Sequence, residues 1–221
     1  MQRFTLLHDG SKQGWQTAYL AFHVAAHLGA PLLGLIVDTD HDKSILSERA
    51  AQVEVGARAA EVDIRTQIIS DFSVDAVMEH LEESNGFFVP RRLIPDEKTA
   101  RLFQEFFACP LWLVSKRPEA KGIVVLVDAP REQAALITYA SVLSHRLEQT
   151  LTGLILKDHF AQITQSETDF PWLTLVDFSR STIGAALDRI STSLLILPIE
   201  QFSLSDVLPL NCVIYPADKD A

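Results

Sequence analysis

The chain repeats itself. When the sequence is slid along itself by 119 positions, residues 4–37 lie over residues 123–156 without a gap. FTLLHDGSKQGWQTAYLAFHVAAHLGAPLLGLIV stands above IVVLVDAPREQAALITYASVLSHRLEQTLTGLIL. Identical pairs include Asp9 and Asp128, Ala21 and Ala140, Leu28 and Leu147, Leu32 and Leu151, Gly34 and Gly153. Both copies run in the same order: short apolar run, acidic residue, amphipathic stretch, short apolar run. A later echo sets Asp71-Phe72-Ser73 against Asp177-Phe178-Ser179 at an offset of 106, which implies a second copy 13 residues shorter over that stretch. The repeat predicts two related halves, residues 1–117 and 118–221, joined at the polar stretch Pro118–Lys121.

The first copy carries the clearer pattern. Phe4–Leu7 and Leu32–Val37 are continuous apolar runs, as parallel strands covered on both faces require. Between them Ala18, Ala21, Phe22, Ala25 and Leu28 recur at helical spacing, with Gly29 as a stop. Leu46, Ala50, Val53, Ala57 and Ala60 mark a second helix, capped by Asp42 or Ser44. Ile64–Ile69 reads as a third strand, followed by a helix capped at Ser73 with Val74, Val77, Met78 and Leu81 as its buried stripe. Phe87–Val89 is strand four. Asp96 opens a helix through Leu102, Phe103 and Phe106, and Leu111–Val114 is strand five. Strand and helix thus alternate, which forces a mostly parallel sheet with helices on both faces. The second copy keeps the first helix, but His159–Asp169 is too short and polar to replace the second one. Trp172–Val176, a helix through Ile183, Ala186, Leu187 and Ile190, Leu194–Leu197 and Cys212–Tyr215 complete it, with room for a turn or two of helix at Ser203–Leu208.

Composition narrows the partners. Apolar residues make up 48 % of the 221 positions, enough for two cores. A net charge of −10, with no Lys/Arg run, argues against nucleic acid or an anionic membrane, since both demand a basic surface. No basic stretch with a secretory apolar core opens the chain, and no apolar run is long enough to span a bilayer. Cys109 and Cys212 form no CxxC pair and sit at apolar runs, which suits core packing in a reducing compartment, so the cytoplasm is expected.

These residues resemble the universal stress protein family. The resemblance rests on a strand ending in Asp9-Gly10-Ser11, the Ala-rich helix after it, "LGAPLLGLIV", and a Cys-Pro-apolar entry into the last strand in "FFACPLWLV". It covers residues 3–116 closely and 121–217 more loosely. It implies two tandem doubly wound, parallel five-stranded sheets, each in the order 3-2-1-4-5, of the adenine-nucleotide alpha-hydrolase-like kind and related by a pseudo-twofold axis. The family's dimer contact through strand five would then be made internally, Leu111–Val114 beside Cys212–Tyr215, with further homodimerisation left open.

In such a sheet ligands collect beyond the carboxyl ends of strands one and four, where the winding reverses. Many members of the family hold ATP there, with the acidic residue after strand one on the nucleoside and a Gly-x-x-Gly…Gly-Ser/Thr loop around the phosphates. Here the stretch after strand four reads VPRRLIPDEKTARLFQEFFACP, with no glycine between Gly86 and Gly122. Pro90 replaces the first loop glycine and has no N–H to donate; Pro198 does so in the second copy. Ordinary ATP binding is therefore not expected in either half, and no cofactor is predicted.

The remaining candidates for a ligand are Asp9, Val37 at the end of strand two, Arg91, Arg92 and Asp128. Arg91 and Arg92 would grip an anion with their side chains, or form a solvated turn paired with Asp96 or Glu97. Asp9 contacts a ligand or caps the following helix; for Asp128, followed by Ala129-Pro130, capping is the better fit. His8 suggests a buried structural histidine, and His23 with His27 a surface pair lacking a third metal ligand. No Gly-x-Ser-x-Gly elbow, Walker lysine, Gly-x-Gly-x-x-Gly or paired carboxylates stand out, and the Ser-Gly-Gly-x-Asp-Ser loop of adenylating relatives is absent. Phe103, Phe106, Phe107 and Trp112 read as core or interface. The expectation is a non-catalytic stress-response regulator, working through an unknown protein partner or small molecule. The alternatives are an ATP- or AMP-binding sensor using Asp9 and Arg91/Arg92 and, behind it, a slow nucleotide hydrolase.

Overall fold

A computed structural model describes residues 3–39, 42–80, 83–115, 122–127, 133–156, 174–178, 183, 187, 192, 194–208 and 210–217. The chain divides into two compact units, Met1–Pro118 and Glu119–Ala221.

The first unit runs β1 (Phe4–His8), α1 (Lys12–Leu28), β2 (Leu32–Val37), α2 (Lys43–Ala59), β3 (Ile64–Ile69), α3 (Val74–Met78), β4 (Phe87–Pro90), α4 (Glu97–Phe107) and β5 (Leu111–Val114). A 3-10 turn, Arg91–Leu93, follows β4. All its strand pairs are parallel and the order is β3-β2-β1-β4-β5. Every residue of β1, β2, β4 and β5 is buried, which is why these strands read as unbroken apolar runs. The edge strand β3 is only partly covered and carries Arg65, Thr66 and Gln67.

Three helices begin at the caps that the sequence predicts. Asp42 accepts the Ser44 N–H, Ser73 the Ala76 N–H and Asp96 the Thr99 N–H. In α1, Ala18, Ala21, Phe22 and Ala25 are buried, and Phe22 packs where Gly56 of α2 comes close. Burying one such ring contributes about 2 kcal/mol.

Two helical stripes differ from expectation. In α4, Leu102 and Phe106 are exposed, while Ala100, Phe103 and Gln104 face inward and Phe107 is half-buried. Those inward positions follow i, i+3, i+4, i+7, and the orientation is set by rings: Phe103 stacks on Phe72 and meets Phe87 edge-on. In α3, Val77 is buried but Met78 is exposed, because the helix ends there. Leu81 lies outside the described residues.

The second unit contains β6 (Ile123–Val127), α5 (Ala134–Arg146), β7 (Leu151–Leu156), β8 (Thr174–Phe178), β9 (Leu194–Pro198), the single turn α6 (Leu204–Val207) and β10 (Asn211–Tyr215). Its strands are parallel in the order β8-β7-β6-β9-β10, the same order as in the first unit. Ile183 and Leu187 are helical and buried; Ala186, Ile190 and His159–Asp169 lie outside the described residues.

Strand register tests the internal alignment. Phe4 faces Leu32 and Ile123 faces Leu151, so the offset of 119 holds across the first two strands of each unit. The later echo does not hold. Ile68 faces Ile36 and Asp177 faces Ile155, which relates β3 to β8 by an offset of 109 rather than 106. Asp71-Phe72-Ser73 leads into the cap of α3, whereas Asp177 and Phe178 are within β8. A three-letter match gave way to a whole ladder of hydrogen bonds, which moves as one.

Candidate functional site

β1 ends at His8, and the chain turns sharply into α1 through Asp9, Gly10 and Ser11. Gly10 has φ 74°, a conformation that a side chain disfavours, and an added Cβ would run into the Arg49 guanidinium. The Gly10 N–H donates to His8 Nδ1 at 3.2 Å. Ser11 is the N-cap of α1: its hydroxyl oxygen accepts the Gly14 N–H at 3.0 Å and donates to Asp9 Oδ1 at 2.6 Å. The Ser11 N–H reaches the same carboxylate oxygen at 3.0 Å. Gly14 matters for space, since a Cβ there would stand 2.5 Å from Asp9 Oδ1.

The other carboxylate oxygen, Oδ2, belongs to Arg92, whose Nε donates to it. Asp9's side chain is 0 % exposed and Arg92's is 51 %, so the pair joins a buried anion to a guanidinium at the surface. Gln13 of α1 holds the same turn by accepting the Arg92 N–H at 3.0 Å. Burial alone would push the Asp9 carboxyl up; the Ser11 hydroxyl, Arg92 and the Ser11 N–H outweigh it and hold it below the usual carboxylate range. Thr39, two residues after β2, donates to the Asp9 carbonyl at 3.4 Å and accepts from Arg49 at 3.3 Å.

His8 is fully buried, and burial lowers its pKa to about 4; Asp9 opposes the shift and Arg49 reinforces it. The ring is neutral at pH 7, with Nδ1 an acceptor, and packs T-shaped against Trp15 at 4.5 Å. Its Nε2 has no hydrogen-bond partner among the described residues.

The site residues expected from sequence fall out unevenly. Asp9 and Arg92 are brought together, and they meet each other. Arg92 does not pair with Asp96 or Glu97: Asp96 caps α4 and Glu97 pairs with Arg101. Arg91 donates to the Ile94 carbonyl and so holds its own turn. The Thr99 hydrogen bonds, with the charges of Lys98 and Arg91, hold the Asp96 carboxyl below the usual range, so the expected tie to Asp96 falls to Arg91. Val37 is buried at the end of β2, opposite Ile69. Asp128 lies outside the described residues. The sequence reading missed Gln13, Thr39 and Arg49, which have polar side chains at ordinary helix and loop positions and carry no spacing signal.

Pro90 and Pro198 occupy corresponding places. Each is the last residue of its strand, each is buried, and each is followed at once by a 3-10 turn, Arg91–Leu93 in one unit and Ile199–Gln201 in the other. Neither supplies a backbone N–H at the strand end. Elsewhere, the His23 and His27 rings pack 4.3 Å apart, with His27 Nδ1 on the His23 carbonyl. Among the described residues no group of three His, Cys, Asp or Glu side chains is placed to hold a metal ion, and no helix is long and apolar enough to cross a membrane.

No protein-family model matches the chain, and no curated protein matches it. Solved structures do. A universal stress protein from Archaeoglobus fulgidus DSM 4304 is 14 % identical over 99 % of this chain and 97 % of its own, with a TM-score of 0.70. A putative universal stress protein from Pseudomonas aeruginosa UCBPP-PA14 is 12 % identical over 99 % and 94 %, with a TM-score of 0.67. The functionally unknown protein PA1789 from Pseudomonas aeruginosa PAO1 is 12 % identical over 99 % and 93 %, with the same TM-score of 0.67. Parallel strands in the order 3-2-1-4-5 and near-complete overlap with these structures lead to one conclusion: the chain has the fold of the universal stress proteins.

Proposed function

We propose that the chain is a non-catalytic universal stress protein that acts in a stress response by contacting a protein or a small molecule, and that it has lost ordinary ATP binding. One observation carries this reading: the buried Asp9 carboxylate, the group such a crevice would offer to a nucleoside, is already taken by Arg92 and Ser11. Pro90 supports it, because a proline gives no N–H to a phosphate where the family's loop begins with glycine. Pro198 extends the same argument to the second unit.

Catalysis finds little support at Ser11, His8 or the distant Cys109. The Ser11 hydroxyl is committed to its helix cap, His8 is buried with Nδ1 occupied, and the Cys109 thiol is pushed up to about 12 by burial. Two buried cysteines that form no disulfide suit the cytoplasm, where we place the protein.

A second reading, an ATP or AMP sensor using Asp9, Arg91 and Arg92, draws on the half-exposed Arg92, which can swing outward and free the carboxylate. Thermal unfolding with millimolar ATP, ADP and AMP separates the two. The melting temperature is expected to stay unchanged with all three. A rise of several degrees that disappears in Asp9→Ala would overturn the first reading and install the second, since a ligand that binds the folded state must stabilise it. Nucleotide turnover lost in the same variant would establish an enzyme.

A further inference from the structure

A second concentration of polar groups in the first unit lies away from Asp9, toward the amino ends of the strands. Arg3 precedes β1, Leu32 and Leu33 begin β2, Arg65 and Gln67 belong to β3, and Glu79 and His80 follow α3; together they line a cavity of about 280 Å³. Strand alternation explains the gathering. Arg65 faces Leu33 in register and Gln67 faces Leu35, so both project to one side of the sheet. Thr66 projects to the other side, where its hydroxyl bonds Glu54 of α2 at 2.5 Å. α3 stops at Met78 after five residues, and Glu79 and His80 follow at the cavity wall.

Buried polar atoms in folded proteins are nearly always paired. Here two are not. Arg3 Nε, a donor, and Gln67 Oε1, an acceptor, are buried without a hydrogen-bond partner among the described residues. Arg3 is anchored by Nη2 on the Glu83 carbonyl at 3.2 Å, which leaves its Nε edge for another acceptor. The lining also holds Arg65 and Glu79, both exposed, so two arginines and one acidic residue border the cavity. Guanidinium suits a planar carboxylate. A phosphate dianion carries a second negative charge that Glu79 would repel.

We propose that this cavity binds a small organic carboxylate carrying its own hydrogen-bond donor, an α-hydroxy or α-amino acid. The carboxylate lies between Arg3 and Arg65; the hydroxyl or ammonium answers Gln67 Oε1 and Glu79. The cavity's volume matches a ligand of that size, at the small end of small-molecule sites. This site is independent of whether the crevice at Asp9 takes nucleotide.

Isothermal titration of the full chain with glycolate, glycine, acetate and inorganic phosphate tests it. Glycolate or glycine is expected to bind at millimolar concentration or below, with acetate at least about tenfold weaker because one hydrogen bond to a buried group is lost. The hydroxy and amino probes identify which donor the site prefers. Arg65→Gln and Gln67→Leu are each expected to weaken binding about tenfold or more while the circular dichroism spectrum is unchanged. Titrating the unaltered chain while following the Gln67 amide and arginine Nε–H resonances by NMR makes the result independent of how a variant folds. The proposal is overturned by no binding of either donor-bearing probe, by acetate binding equally well, by phosphate binding more tightly, or by side-chain resonances that do not move.

Discussion

At the carboxyl end of β1, Asp9 spends both carboxylate oxygens on Ser11 and Arg92, and Gln13 accepts the Arg92 N–H. That leaves the neighbouring His8 Nε2 as the buried atom there without a partner among the described residues. Toward the amino ends of the same sheet, Arg3 Nε and Gln67 Oε1 are buried with their hydrogen-bonding capacity unspent among the described residues. The first end is where the topology and the family resemblance lead one to look for a ligand. The second has nothing in the sequence to mark it. A position in a fold names where ligands have been held in relatives; the balance of donors and acceptors decides whether one is wanted in this chain.

The largest expected effect concerns the carboxyl end and pH. His8 is neutral inside the fold with a pKa of about 4, whereas an unfolded histidine titrates near 6.5. Its contribution is therefore complete above pH ~6.5 and is lost as pH falls toward 4, because the unfolded chain then takes up a proton that the folded chain refuses. Urea unfolding at a series of pH values is expected to lose up to about 3 kcal/mol over that window, and His8→Gln should flatten the profile. A wild-type profile that is flat from pH 7 to 4.5 would mean that His8 is not the sealed group described.

Next in size is Asp9→Ala, which strips an acceptor from two Ser11 donors and from Arg92 and is expected to cost about 2 kcal/mol. The Asp9 carboxyl is held below its usual range, so its share of stability is present above pH ~4 and disappears as pH falls through the lower folded value. A double-mutant cycle with Arg92→Met sharpens the point. The coupling should be about 1 kcal/mol or less, since half of Arg92 is in water. A much larger coupling would indicate a rigidly locked pair and weaken the sensor reading further.

The smallest effect separates the two ends most cleanly. Arg65→Gln, at an exposed edge-strand position, should change stability by no more than about 0.5 kcal/mol while weakening carboxylate binding about tenfold or more. If it instead destabilises the unit as Asp9→Ala does, the amino-end cluster is structural rather than a site.

The architecture was legible because it rests on periodicity. Continuous apolar runs marked β1, β2, β4 and β5 since both their faces are covered, and the helix caps Asp42, Ser73 and Asp96 announced themselves through local chemistry. Short-range cues failed where a partner far along the chain intervened. The outward turn of Phe106 depends on Phe72 and Phe87 claiming Phe103, and the Asp-Phe-Ser echo broke against the β7–β8 register.

Of the candidate site, Asp9 and the glycine-free stretch after β4 could be read directly from residue types. That Arg92 would seat itself on Asp9, 83 positions away, could not. The amino-acid order by itself determined which segments become strands and helices, in what succession, and that Pro90 cannot donate an N–H, because these follow from neighbours within a few residues. Only the tertiary structure decided which charges meet and which polar atoms go unpaired, because such choices are made by side chains that folding brings together from distant strands and turns.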